Sequence, residues 1–357
     1  MTSTYLVTGA TGYVAGHCIK MLLARGDMVR GTVRAASSKK ADFLRALPGA
    51  TERLDLVEID LLSPEELWCE AVRGCKAVLH VAAALGGATE EAIRTPAVQG
   101  TSIVLKACIR ESIPRVVLTS TTGAIVGGHP TSTTAEFYRG DEICPLTLPP
   151  GVDETTWTKT EALGQTPIEW YWKGKTDAEM MSWELVKGTS VELATVNPSF
   201  VLGPILSAEH AAGSVAHVVA MLSGKNSNLP IPFPIVDVRD VAKLHVLCAD
   251  EPQASGKRHM ACATPTNPMM SDVATLLAQK YNEKGAKVKT EVVAVRDMEA
   301  LSKDNPFIRI MLKRAGKTYY YNSVNGTKLI GEWIPWQQTV YDTAESIQHT
   351  LRPDSRM

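Results

Sequence analysis

Short apolar runs alternate with amphipathic stretches along the first two hundred residues. "TYLVTGA" (4–10) is β-rich and ends at Gly9 and Ala10. "HCIKMLLARG" (17–26) has helical spacing and closes on Gly26, a residue suited to the position after a helix end. "MVRGTVR" (28–34) predicts a second strand and "RLDLVEID" (53–60) a third. "EELWCEAVRG" (65–74) predicts a helix, and "AVLHVAAA" (77–84) a fourth strand. "GTSIVLKACIRES" (100–112) reads as a helix and "RVVLTS" (115–120) as a fifth strand. "VELATVNPS" (191–199) is a sixth, after a helix that carries "EWYWKGKTDAEMMSW" (169–183). Nearly continuous apolar strands parted by amphipathic helices predict a parallel sheet buried on both faces. Right-handed crossovers then lead to a doubly wound α/β fold. Two more helices are predicted around 271–283 and 337–351, in a smaller C-terminal region from about 263.

Composition leaves that picture intact and narrows the partners. The 357 residues are 45% hydrophobic and 21% charged, with a net charge of −1. Arg and Lys are scattered, so nothing recommends a nucleic-acid partner. No run of eighteen or more apolar residues exists, and "MTSTYLVTGA" opens directly into a strand-like run, so neither membrane span nor leader is expected. The seven cysteines lack C-x-x-C spacing and read as thiols of a reducing compartment, with a cytoplasmic location expected. The eight histidines are dispersed, and no metal is expected.

Doubly wound sheets bind ligands beyond the C-terminal ends of their strands. The first strand runs into "TGATGYVAG". Gly9 permits a tight turn, Gly12 lets a pyrophosphate approach the backbone, and Ala15 is small enough for close helix–sheet packing. Thr11, Tyr13 and Val14 complete the candidate phosphate turn, where backbone N–H groups and the helix dipole attract anions. The bland alternative is a tight βα turn without a ligand. Arg34 ends the second strand, where a carboxylate would suit NAD; a guanidinium suits the 2′-phosphate of NADP. Ser37, Lys39 and Lys40 follow it, although a solvated basic loop would look the same. Asp60, with Leu61 beside it, could accept from the adenine amino group or cap the helix before "SPEEL". Val81, Ala82 and Ala83 end the fourth strand. Ser120 and Thr121 end the fifth, and Asn197 to Val201 the sixth. Tyr171 and Lys175 lie one helical turn apart on a shared face. Alone, that two-position pattern decides little.

The motifs "VTGATGYVAGH", "VRGTVR", "AVRGCKAVLHVAA", "GTSIVLKAC", "RVVLTST", "YWKGKTDAE" and "VNPSFVLGP" occur in this order. In that order the chain resembles the extended short-chain dehydrogenase/reductases of the NAD-dependent epimerase/dehydratase superfamily. It is most similar to the dihydroflavonol-4-reductase, cinnamoyl-CoA-reductase and fungal aldehyde/carbonyl-reductase branch. "VDVRDVAKLHV" and "SVNGTKLIGEWIPWQQTVYDTAESI" also look like that branch. The likeness covers most of the chain and is weakest at about 128–165 and 205–232. It implies a Rossmann domain binding NADPH/NADP+ over 1–204 with 233–262, and a smaller substrate-binding α/β region over 205–232 with 263–357. It also implies a catalytic hydroxyl, Tyr and Lys, which match Thr121, Tyr171 and Lys175. Tyr171 would protonate a carbonyl oxygen. Lys175 would tune that phenol and hold the nicotinamide ribose, and Thr121 would polarise the carbonyl. Pro198 and Val201 match positions that close over nicotinamide. The implied activity is NADPH-dependent reduction of an aldehyde or ketone, with a small-molecule carbonyl substrate.

Two departures stand out. The family reads T-S-S where this chain reads Thr119-Ser120-Thr121, so Ser120 stays a second candidate for the hydroxyl. Trp172 and Lys173 are large where small residues are common, and are expected to face away from the site. A nucleotide-sugar epimerase or dehydratase, and a non-catalytic NADP-binding sensor, are the alternatives. The stretch 127–170 is expected to be a loop bordering the site, with Phe137, Tyr138 and Trp157 lining a pocket or packing the loop down. Monomer and homodimer are both open.

Overall fold

Seven strands hydrogen-bond in parallel into one sheet. They are β1 (Thr4–Val7), β2 (Met28–Val33), β3 (Leu54–Glu58), β4 (Ala77–His80), β5 (Arg115–Thr119), β6 (Glu192–Pro198) and, later in the chain, β9 (Arg258–Ala261). Their order is β9-β6-β5-β4-β1-β2-β3, so the chain starts in the middle and winds outward both ways. The computed structural model describes residues 3–83, 87–129, 131–133, 138–139, 142–143, 151–263, 267–303, 306–312, 314–318 and 320–351.

Alternation along each strand builds two apolar layers. Tyr5 and Val7 of β1 face a cluster with α1 (Tyr13–Ala24) and α7 (Val238–Asp250). Leu6, Val78, Val116 and Leu118 face the opposite cluster, with α2 (Glu65–Val72) and α3 (Glu90–Arg110). After the short α4 (Gly123–Val126), α5 (Pro167–Val186) lies beside α3 and adds Trp183 to that layer. A separate cluster joins Leu202, Val218 and Phe233 to Leu277 and Ile347. It contains β7 (Phe200–Leu202), α6 (Val215–Leu222), β8 (Ile235–Asp237), α8 (Met270–Tyr281) and α10 (Trp336–Leu351). Between α8 and α10 runs the short α9 (Val324–Ile330).

Two boundaries and one strand differ notably from the sequence reading. β4 stops at His80, so Val81 to Ala83 leave the strand. α3 begins ten residues before the predicted start and runs through Pro96. A proline normally interrupts a helix, yet Ile93, Ala97 and Gly100 on either side are buried, and packing carries the helix past it. β9 was not predicted, because Arg258 and His259 look like surface residues although both are buried. Among the described residues, no helix is long and apolar enough to cross a membrane.

Candidate active site

The first βα turn is shaped by what its glycines lack. Gly9 has φ +66°, and a Cβ there would lie 3.1 Å from Ala82 Cα. A Cβ on Gly12 would lie 3.1 Å from the Gly9 carbonyl oxygen. Gly12 caps α1 without a side-chain hydrogen bond, and the first turn holds no acidic residue. The opening N–H groups of α1, from Tyr13 and Val14 onward, therefore have no side-chain acceptor. This donor set fits a pyrophosphate.

The turn is braced from several sides. Thr8 Oγ1 accepts from the Ala82 N–H at 2.9 Å and lies 3.0 Å from His80 Nδ1. The Gly9 N–H donates to Thr32 Oγ1 at 3.0 Å. His210 Nδ1 accepts from the Leu206 N–H, which leaves Nε2–H to donate to the Thr11 carbonyl at 3.1 Å. The Tyr13 hydroxyl donates to the Gly203 carbonyl at 2.7 Å, so Tyr13 offers a ligand only its backbone.

At the adenosine end the predicted residues divide. Arg34 follows β2 and is exposed. Lys40 forms an ion pair with Glu209 at 3.0 Å. Asp60 is exposed, and its Oδ1 accepts from the Leu62 N–H at 3.0 Å, which closes a local turn. Leu61 packs toward Gly100, where a Cβ would meet its Cγ at 2.4 Å. Its side chain thus joins the α3 layer.

Tyr171 and Lys175 project from α5, whose start is well specified. Thr166 and Glu169 form a capping box, and Pro167 occupies the first turn. Tyr171 lies beside the Thr121 hydroxyl, which acts on its phenol. Lys175 is 6% exposed and donates to the Thr119 carbonyl at 2.6 Å. Burial lowers the Lys175 ammonium to about 8, and the Glu179 charge opposes that shift. Burial raises the Tyr171 phenol, against a smaller lowering by the Thr121 hydroxyl. The protein alone therefore does not depress the phenol as the Tyr/Lys spacing suggested. One Lys175 N–H goes to the Thr119 carbonyl, and at the phenol desolvation dominates.

Ser120 turns the other way. Its hydroxyl donates to Glu179 Oε2 at 2.5 Å, while Thr121 holds the Gly123 N–H at 3.1 Å and reaches Tyr171. Glu179 is fully buried and also accepts from Thr195 at 3.0 Å, Asn197 at 2.9 Å and Arg258 Nε at 2.6 Å. Arg258 donates further to the carbonyls of Ala124, Glu154 and Thr156 and lies 3.8 Å over the Trp157 ring. This ion pair was missed in the sequence. Its one signal was a Glu four residues after Lys175, on the same helical face.

Trp157 thus packs its loop down. Phe137 and the Tyr138 side chain lie outside the described residues. Nearby, the Glu154 carboxylate accepts from the N–H groups of Met260, Val324, Asn325 and Gly326. Trp172 packs onto Gly123, where a Cβ would lie 2.3 Å from its Cδ1, and Lys173 pairs with Glu90 at 3.6 Å. Pro198 is buried at the end of β6, and Val201 pairs with Val236 in β8.

Known proteins extend the comparison over the whole chain. Cinnamoyl-CoA reductase 1 of Petunia hybrida is 33% identical, across 96% of this chain and 91% of its own length. The chain belongs to the extended short-chain dehydrogenase/reductases, in the branch of the cinnamoyl-CoA reductases. Cinnamoyl-CoA reductase 2 of Arabidopsis thaliana is 34% identical over the same shares. The 3-beta hydroxysteroid dehydrogenase/isomerase family matches residues 6–162. Among solved structures, Gre2 of Candida albicans in complex with NADPH is 25% identical. It superposes with a TM-score of 0.74 over 98% of this chain and 99% of its own.

Proposed function

We propose that this oxidoreductase uses NADPH to reduce an aldehyde or ketone carbonyl to the alcohol. The observation that carries the reading is the Tyr171 phenol beside the Thr121 hydroxyl at the end of β5, with buried Lys175 one helical turn on. NADPH, when bound, supplies the hydride. Gly9, Gly12 and the first turn of α1 hold its pyrophosphate, and Arg34 its 2′-phosphate. Lys40 joins Arg34 once released from Glu209. Residues 1–204 with 233–262 carry the cofactor, and 205–232 with 263–357 shape the substrate side.

The chain's own groups divide the work at the carbonyl. Thr121 donates to the substrate oxygen and fixes its position. Tyr171, protonated at neutral pH like any phenol, delivers its proton to that oxygen as charge develops there. Lys175 keeps N–H groups beyond the Thr119 contact for the nicotinamide ribose. Pro198, without an N–H, offers apolar contact to the ring face. The cation after β2 favours this reading over an epimerase with an acidic residue at that position.

The test is Tyr171→Phe, assayed by NADPH oxidation over a panel of aldehydes and ketones. The variant loses reduction while NADPH titration by fluorescence stays close to wild type. Near-normal turnover by the folded variant removes Tyr171 from the mechanism.

A further inference from the structure

A cation of the C-terminal region lies on an aromatic ring next to Tyr171. Arg314 sits in a turn, its N–H donating to the Met311 carbonyl at 2.9 Å. Met311, Leu312 and Ala315 pack against the cluster of Leu277 and Ile347. Gly316 ties the same stretch to another segment, its N–H donating to the Pro230 carbonyl at 2.7 Å. The Arg314 guanidinium carbon lies 4.1 Å from the centre of the Trp172 ring. Trp172 belongs to a different cluster, with Ile125, Val126 and Met260, against which Tyr171 packs. Arg314 is thus rooted in one core and rests on the ring of another.

The ring in turn bears on α4. A Cβ on Gly123 would lie 2.3 Å from Trp172 Cδ1, and one on Gly127 3.0 Å from Cε3, so both ends of this short helix lie against the indole. Thr121 is tied to the same helix. Its hydroxyl accepts from the Gly123 N–H at 3.1 Å and its carbonyl from the Ala124 N–H at 3.0 Å. A shift of α4 therefore shifts the hydroxyl that lies beside the Tyr171 phenol. Elsewhere α4 is held by hydrogen bonds: Thr158 donates to the Gly123 carbonyl at 2.6 Å, and Arg258 to that of Ala124 at 3.1 Å. Its indole side relies on packing. A cation is drawn to a Trp face by the ring quadrupole, more strongly where water is excluded, and Trp172 is 8% exposed.

We infer that Arg314 is a positioning residue: by holding Trp172 against α4 it keeps the Thr121 hydroxyl in register with Tyr171. Its action runs through the ring. The pair also gives the large side chain at 172 a task, at a position where small residues are common. The C-terminal region then sets the geometry of the two hydroxyls from outside the sheet. The inference rests on reading Thr121 and Tyr171 as the groups that meet the carbonyl.

The experiment follows amide hydrogen exchange of the NADP+-loaded protein by mass spectrometry, with kcat beside it for the panel compound that wild type reduces fastest. Arg314→Met keeps an apolar stem and loses the cation. Exchange over residues 119–127 becomes about tenfold faster, while residues 4–24 exchange as in wild type. The kcat falls about tenfold, inside the ~hundredfold that a misplacement of about 1 Å can cost. NADPH affinity, read by fluorescence titration, is unchanged. Arg314→Lys, which puts a cation back over the ring, restores most of both losses. Trp172→Leu loosens the same stretch, and adding Arg314→Met to it speeds exchange no further. Unchanged exchange over 119–127 in Arg314→Met overturns the inference. So does an equal rise over 4–24, which marks general loosening, and so does faster exchange with unchanged kcat. A Lys variant no better than Met overturns it as well. Exchange needs no turnover, so the clamp is judged even if Tyr171→Phe removes Tyr171 from the mechanism.

Discussion

Replacing Glu179 by Gln removes one charge from a pair held deep in the protein. The carboxylate is fully buried and accepts from Arg258, Ser120, Thr195 and Asn197. An amide keeps one acceptor oxygen and turns an NH2 toward the remaining donors. Arg258, 7% exposed, keeps its three carbonyl partners and the Trp157 face but loses its counter-charge. Breaking a buried pair from one side costs ~3–5 kcal/mol. The retained amide contacts put Glu179→Gln at the low end, about 3 kcal/mol. With a urea slope of about 3 kcal/mol/M, the midpoint falls by roughly 1 M. Tryptophan fluorescence during urea unfolding reads the shift. A variant within about 0.5 kcal/mol of wild type refutes a charge-paired core.

Other outcomes follow from the same geometry. Thr121→Ser keeps activity and Thr121→Val loses most of it, whereas Ser120→Ala retains turnover; initial rates on folded variants decide. Arg34→Ala weakens NADPH about ten- to a hundredfold more than NADH, the share of one charge-assisted hydrogen bond, read as kcat/KM for each cofactor. Lys175 has a folded pKa of about 8, below its ordinary 10.5, so between those values the unfolded chain binds more protons. Stability should therefore rise with pH across that window, and Lys175→Met should flatten the rise in urea titrations from pH 8 to 10.

Apolar periodicity made most of the sheet legible. Residues of β1, β4 and β5 are buried on both faces, and such strands read as apolar runs. β9 was hidden by the same rule, because Arg258 is buried through Glu179, a partner 79 residues away. The helix start at Glu90 was hidden by Pro96, whose local signal is overridden by packing. At the site, the spacing of Tyr171 and Lys175 pointed to a common face. The choice between Ser120 and Thr121 needed the direction of two neighbouring hydroxyls, and that depends on Glu179 and Asn197 from other elements. The sign of the Tyr171 shift was also out of reach, since spacing carries no measure of desolvation.

Glu154 has a consequence for the order in which the protein is made. Its carboxylate gathers the N–H groups of Val324, Asn325 and Gly326, 170 to 172 residues further along the chain. The same loop carries Trp157, which covers Arg258 and through it the support of α5. Chains emerge from the ribosome N-terminus first, and contacts of long sequence separation form late. The wall beside Tyr171 is therefore fastened only after residue 326 has been synthesised. A nascent chain halted earlier can hold its β1 to β6 core and the phosphate turn, while the loop from Val152 to Trp157 still lacks its anchor.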